Sequence, residues 1–499
     1  MNLFKLDMTK GSIIKGLLLF MVPLLIGNIF QQLYSIVDAI IVGQVMGQAA
    51  LTGVNCTGSA SFFIIGFASG LTGGLAIPIA QYFGAKDKVN LKKAVAMSLV
   101  VSLVIGVVLT AIGLAICGPM LVLLKTDASI FDYAYDYLFT IFAGLICTIF
   151  YNMATFILRS LGDSTTPLIA LIVAALFNVG GDYLFVAVFN LGTVGAALAT
   201  VLSNLLAAII SFIVLFARFK DIRLKFGDLI IRKNDVPLLL YDLKISLPLA
   251  FQNSIIGIGL LVQQGAVNSL GVIPGAFQMN PAGEMEPVLY STAYGNAGKI
   301  DSFSNCIILA IGTTMSTFCG QNYGSRDLKR IKKGLIQGML MGLVTVAILA
   351  AILIPLTPYI SLLFSSNQDP LLLEATQFYM MIDLLFYALL VTLYILRSSL
   401  QGLGKTVITM IVGAIELLMR IGAALLLSHL FGWTGLCFSN PAAWIVSDLV
   451  LIPAMIIAIN KFTKEDLKGE FGLKSLKRKP APLGNTGTIN NNHDQDPVD

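Results

Sequence analysis

The 499-residue chain is 57% hydrophobic and 12% charged, with a formal net charge of +5. Soluble domains carry roughly a quarter of their residues as charged side chains, so a water-exposed globular protein is excluded. The basic excess is accounted for by where the lysines and arginines sit, and it calls for no nucleic-acid partner.

Twelve apolar segments of bilayer length follow one another, at 17–42, 53–80, 94–117, 134–158, 167–189, 193–217, 243–270, 302–320, 334–356, 376–399, 406–429 and 435–459. A helix needs roughly 20 residues to cross about 30 Å of hydrocarbon. Strands of a membrane barrel would show short alternating segments instead, so the expected fold is all-α and polytopic, with twelve transmembrane helices. The first span is too long for the core of a cleavable signal and is expected to remain as a helix. Apart from Lys125, Lys299 and Arg420, the lysines and arginines, Lys5, Arg159 and Arg397 among them, are assigned to one side of these spans. That bias puts both termini in the cytoplasm and suits a bacterial inner membrane. Six cysteines lie in or near the apolar segments without C-x-x-C spacing, which speaks for packing and against a disulfide framework or a zinc site.

A charge at the bilayer centre costs about 2.5–3.5 kcal/mol on insertion scales, so ionisable residues within the spans are functional candidates. Asp38 lies in the first span inside "QQLYSIVDAIIVG", with Tyr34 one turn earlier on the same face. The fifth span carries Asn178 and Asp182 in "FNVGGDYLF", again one turn apart, and the sixth contributes Thr200 from "GAALATVLSN". No basic residue in these three spans can neutralise the two aspartates. Desolvation disfavours their charged forms and two close carboxylates titrate as a pair, an arrangement able to load and release a proton or a cation. In the second half, Glu416 and Arg420 are one turn apart and read as an internal ion pair, with substrate contact as the alternative. Asp383 falls near the start of the tenth span, at the interface or in a cavity, and His429 at the outer end of the eleventh.

An internal repeat organises the chain. "QYFGAKDKVNLKKAV" (81–95) aligns without a gap to "QNYGSRDLKRIKKGL" (321–335), "ILRSLGDS" (157–164) to "SLQGLGKT" (399–406), and "VPLLIGNIFQQLYSIVD" (22–38) to "LPLAFQNSIIGIGLLVQ" (247–263). The expected organisation is an N-lobe over 1–217, a basic linker over 218–242, a C-lobe over 243–460 and a cytoplasmic, basic and disordered tail over 461–499. The shift in repeat offset requires extra residues in the second half, placed in an outer loop at 271–299 that holds Glu284. Parallel repeats of this kind are a recurring transporter architecture with substrate bound between the halves. Under the repeat, Asp38 corresponds to Gln263, which argues for a function of the carboxylate confined to the N-lobe. "GLGKT" (402–406) lacks the first glycine of a phosphate-binding loop and joins two membrane helices, so no nucleotide site is expected and an ion gradient must drive any transport.

"PLLIGNIFQQLYSIVDAIIVGQVMG", "AQYFGAKD", "LRSLGDSTTP", "FNVGGDYLF" and "GAALAT" together resemble the multidrug and toxic compound extrusion (MATE) family, over about residues 9 to 460. The resemblance implies a monomeric antiporter rather than an enzyme. It would need no cofactor and would export organic, often cationic compounds against inward movement of H+ or Na+. The family's N-lobe cation site would fall on Asp38, Asn178, Asp182 and Thr200, with Tyr34, Gln263, Glu416 and Arg420 in support of substrate or coupling, and no metal is implied beyond Na+ there. Some members use acids in spans 7 and 10; here span 7 offers Gln252, Asn253 and Gln263, and "LLFYALLVTLY" in span 10 has none. Two rival readings are a lipid or lipid-linked oligosaccharide flippase, which would need cationic residues along its cavity, and a membrane receptor or scaffold that transports nothing.

Overall fold

The computed structural model describes residues 6–124, 126–279, 285–364 and 369–468. Lys5, Lys125, Glu284 and the tail beyond residue 468 lie outside the described residues. With no water in the bilayer to satisfy backbone polar groups, the apolar runs can only close their hydrogen bonds within helices. The N-lobe comprises α1 (Ile13–Met46), the short α2 (Gln48–Cys56), α3 (Gly58–Gly84), α4 (Lys88–Leu123), α5 (Phe131–Ala143), α6 (Leu145–Ser160), α7 (Thr165–Asp182) and α8 (Gly192–Arg218). The C-lobe comprises α9 (Val236–Ser269), α10 (Tyr290–Gly324), α11 (Leu328–Phe364), α12 (Pro370–Leu385), α13 (Tyr387–Gly402), α14 (Thr406–Cys437) and α15 (Ser439–Leu467). Among the described residues, ten spans are long and apolar enough to cross a membrane. The pairs α5–α6 and α12–α13, bent by 52° and 47°, supply two more if each pair is one span. Large aliphatic side chains such as Val107, Ile348 and Leu418 stay exposed on outer faces, as lipid-facing helices require.

The repeat is written into the backbone as well as the residues. The bends fall at Gly144 and Phe386, and Pro23 of α1 recurs as Pro248 of α9. Lys86 and Arg326 both adopt positive φ (56° and 62°), as do Gly162 and Gly404 (86° and 75°). Asp87 accepts from the Asn90 amide at 3.0 Å and Asp327 from the Arg330 amide at 2.8 Å, the same cap at the start of α4 and of α11.

Two stretches depart from expectation. In the outer segment 271–299 the described residues form two antiparallel strands, β1 (Val272–Met279) against β2 (Met285–Leu289), followed by the first ten residues of α10. The strand pair is moored to the head of α12, where the Phe277 amide donates to Asp369 at 2.9 Å. The linker is also shorter than 218–242, because α9 begins at Val236. What remains is three 3₁₀ turns whose Asp221, Asp228 and Asp235 pair with Lys88, Lys92 and Lys93 of α4. The side chain of Lys92 holds the exposed Asp228 carboxyl below the usual carboxylate range.

The lobes meet tightly at the end of the bundle that carries the basic loops. Gln81 of α3 donates to the carbonyl of Gly402 at 2.9 Å, and its repeat mate Gln321 of α10 donates to the carbonyl of Ser160, also at 2.9 Å. Each lobe's glutamine thus satisfies a terminal carbonyl in the other lobe. The segment from Leu6 to Gly11 lies across this seam: the Leu6 amide donates to Gly162 of the N-lobe at 2.9 Å, and the Met8 amide to Gln321 of the C-lobe at 3.0 Å. Arg330 then gathers the carbonyls of Met8, Lys10 and Gly11 at 2.8–3.0 Å.

In the turn before α7, buried Asp163 accepts from the amides of Thr165 and Thr166 at 3.1 and 2.8 Å and forms an ion pair with Arg218. Asp163→Ala should destabilise the fold by about 3 kcal/mol, the low end for a broken buried pair because Arg218 keeps part of its surface in solvent. Thermal melting of the purified variant in detergent checks it.

Candidate ion-coupling site and central cavity

Helices α1, α7 and α8 bring the N-lobe polar residues together. Pro23 sits one turn before the buried Gly27 in α1, while Gly181 of α7 lets that helix close on Ala199 of α8, where an added Cβ would stand 3.1 Å from the alanine's. A π-helical turn, Tyr183–Val188, follows Asp182 directly, and such turns widen a helix where side chains must be re-aimed. Asn178 donates to the Thr200 hydroxyl at 3.4 Å, and that hydroxyl donates in turn to the Ala196 carbonyl at 3.2 Å. Tyr34, Tyr151, Asn178, Thr200 and Asn204 line a cavity of about 10 Å³, the size that admits one water-sized particle.

Asp38 and Asp182 face one another at the next turn of α1 and α7, close enough for a proton on one to be donated to the other. With both ionised, Oδ1 of Asp38 and both oxygens of Asp182 have no hydrogen-bond partner. Asp182 and Asn178 are buried, and no lysine or arginine of the described residues pairs with either aspartate. Two facing carboxylates, Asp182 buried and Asp38 half-buried, are stabilised by taking up a proton or a cation when no counter-charge is present. Tyr137 of α5 joins the group from the fourth span, near both aspartates and Tyr34. Nothing in its sequence context, an aromatic-rich helix start, distinguishes it.

The remaining predicted residues lie elsewhere. Gln263 of α9 donates to Ser439 and Asn440 of α15 at 3.0 and 3.2 Å, inside a C-lobe polar cluster. There Asn440 donates to Asp383 at 3.3 Å and to Tyr379 at 3.0 Å, while Tyr387 donates to Asp301, which also accepts from Asn305 at 2.7 Å. Asp383 is therefore buried with a second acid beside it. The C-lobe holds an acid pair where the reading of spans 7 and 10 found none, because Asp301 comes from α10.

Glu416 is an ion pair with Arg420 at 2.9 Å, and it is also paired with Arg397 of α13. Arg397, counted above with the basic residues that flank the spans, is 4% exposed and inside the helix, five residues before its end. It faces a second cavity of about 260 Å³ between the lobes, whose walls come from α3, α6, α9, α10 and α13.

Residues 23–184 and 288–426 match the family MatE. The chain is 26% identical to the "Probable multidrug resistance protein YoeA" of Bacillus subtilis, covering 89% of this chain and 93% of that protein. It is 23% identical to the "Multidrug export protein MepA" of Staphylococcus saprophyticus, covering 90% and 94%. A solved structure titled "Outward-facing conformation of a multidrug resistance MATE family transporter of the MOP superfamily" superposes with a TM-score of 0.81 at 22% identity, covering 92% of this chain and 99% of that one. At that identity the likeness speaks to the fold.

Proposed function

The chain belongs to the MatE family of multi-pass multidrug efflux transporters, which are not enzymes, and from that premise we propose that it exchanges H+ or Na+ for organic compounds. The observation that carries the proposal is the Asp38–Asp182 pair, Asp182 buried and Asp38 half-buried, without a counter-charge beside a cavity of one-particle size. An ion that occupies the pair removes a repulsion between α1 and α7. Losing the ion restores it, so occupancy is linked to how these helices pack. The basic loops are cytoplasmic and so are both termini, which makes the glutamine-sealed end the cytoplasmic one. Rocking of one lobe against the other then opens the central cavity alternately to each side, and the protein acts as a monomer without a cofactor.

The flippase reading draws support from one observation, the arginine in the central cavity. The expected preference for cationic cargo meets no carboxylate among the residues lining that cavity. The test is transport of fluorescent dyes, cationic and anionic, by the reconstituted protein under an imposed proton gradient or an imposed Na+ gradient. Movement driven by one gradient names the ion. Absence of movement under both overturns the antiport reading.

A further inference from the structure

The cavity between the lobes has a definite polarity. Among the described residues lining it, Arg397 is the only charged one, and its neighbours on the wall are polar and neutral: Gln252, Asn253, Ser316, Tyr394 and Gln401. Glu416, Arg420 and Asp448, the charged groups packed around Arg397, do not reach the cavity wall. One arginine nitrogen is committed to Glu416, but Nε of Arg397 is buried and has no partner. A buried guanidinium N–H left unmade costs free energy that an incoming acceptor would recover. The side chain is also held in place, with its guanidinium carbon 5.8 Å from the centre of the Tyr394 ring and Glu416 behind it. Gln401 and Gln252 are tied by a 3.3 Å hydrogen bond on the same wall, which leaves their remaining amide N–H groups as further donors.

The opposite wall adds to this polarity. Phe156 of α6 lines the cavity, and the Arg159 guanidinium carbon lies 5.7 Å from its ring centre. Nε of Arg159 has no partner, and no described carboxylate forms an ion pair with that side chain. Arg397 thus stands in the cavity wall with Arg159 behind the lining Phe156 ring of the other lobe, and no acid is among the lining residues. Arginine is the side chain whose planar donors match a carboxylate or phosphate. The volume of about 260 Å³ falls just under the range of drug-sized pockets, so it accepts one polar head with an adjoining ring or chain and not a whole large molecule.

We infer that this cavity binds the anionic head, carboxylate or phosphate, of an amphiphilic compound, with Arg397 as the residue that holds it. That the occupant is cargo rests on the transport reading above; that it is anionic does not.

Equilibrium binding separates the two. A rhodamine with a free carboxyl group and the ethyl ester of the same dye differ in that anion and one ethyl group, and fluorescence anisotropy on the purified full-length protein reads both affinities without any gradient. The expected result is roughly tenfold tighter binding of the free acid, the size of one charge-assisted hydrogen bond. Arg397→Gln should bring the ratio to about one. Asn253→Asp leaves the arginine–glutamate cluster intact and should reverse the preference, which guards against misfolding of the arginine variant. Displacement of the acid dye by short-chain phosphatidic acid and not by phenyl phosphate would place the anion on a lipid; displacement by both would place it on soluble cargo. Tighter binding of the ester, equal affinities, or a ratio untouched by both substitutions overturns the inference. Acid-selective binding with no transport under either gradient would keep the anion site and sink the transport reading instead.

Discussion

Asp182→Asn is expected to give a folded protein, at least as stable as the parent at neutral pH, that no longer moves dye under an ion gradient. The expectation follows from the pair itself. An asparagine amide can donate to Asp38 and supply the hydrogen bond that both Asp182 oxygens lack when ionised, so the folded state gains while the ability to take up and release an ion goes. Asp38→Asn should do the same from the other side of the pair. Loss of coupling should exceed 100-fold, because what is removed is the exchangeable charge and not a positioning contact. Melting curves together with flux in liposomes check it. A variant that melts lower and still transports at the parental rate would mean that the pair is a structural element of α1 and α7.

The second large effect lies at the sealed end. A methyl group at Gly84 would stand 1.9 Å from the backbone oxygen of Gln321, and one at Gly324 would stand 1.8 Å from that of Gln81. Real carbon atoms do not approach a carbonyl oxygen so closely, and the neighbour in each case is backbone from the opposite lobe. Gly84→Ala or Gly324→Ala must therefore force the lobes apart at this end and break the reciprocal glutamine bonds. Cys319, fully buried in α10 close to Gly402, reports the change. Its modification by a maleimide, followed by mass spectrometry of the peptide, should speed up at least tenfold in either variant. Unchanged protection would show that the seam can close around the added carbon.

The two lobes and most N-lobe candidates were legible because their signals are local. A single aspartate in an apolar run is conspicuous, and an i,i+4 pair such as Asn178–Asp182 declares its shared face. Asp301 was hidden by its surroundings: "GKIDSFSNC" is as polar as the loop preceding it, and only the early start of α10 at Tyr290 turns it into a helical face. Arg397 misled for the opposite reason. Sitting near the end of an apolar run, it has the sequence profile of a flanking basic residue, and the side of the helix on which it falls is set by packing against α14, which spacing does not encode. The strands Val272–Met279 and Met285–Leu289 contain Pro274, Gly275 and Pro287, which read equally well as an irregular loop, since register comes from pairing across strands. The reciprocal glutamine bonds could not be read at all, because the repeat aligns Gln81 with Gln321 but says nothing about which lobe each one reaches.

The segment from Leu6 to Gly11 also bears on the order in which the molecule is made. Its first partner, Gly162, belongs to its own half, whereas Gln321, Asn322 and Arg330 are synthesised more than 300 residues after Met8. At ordinary elongation rates that interval is roughly 15–60 s. Until then the segment has only the Gly162 carbonyl of its own half to hold it, and the newborn first half is left with its inner faces unpaired. The final docking of these residues can occur only after the second half has entered the membrane in register. It is the last stitch of assembly, made by residues synthesised more than 300 positions before their partners.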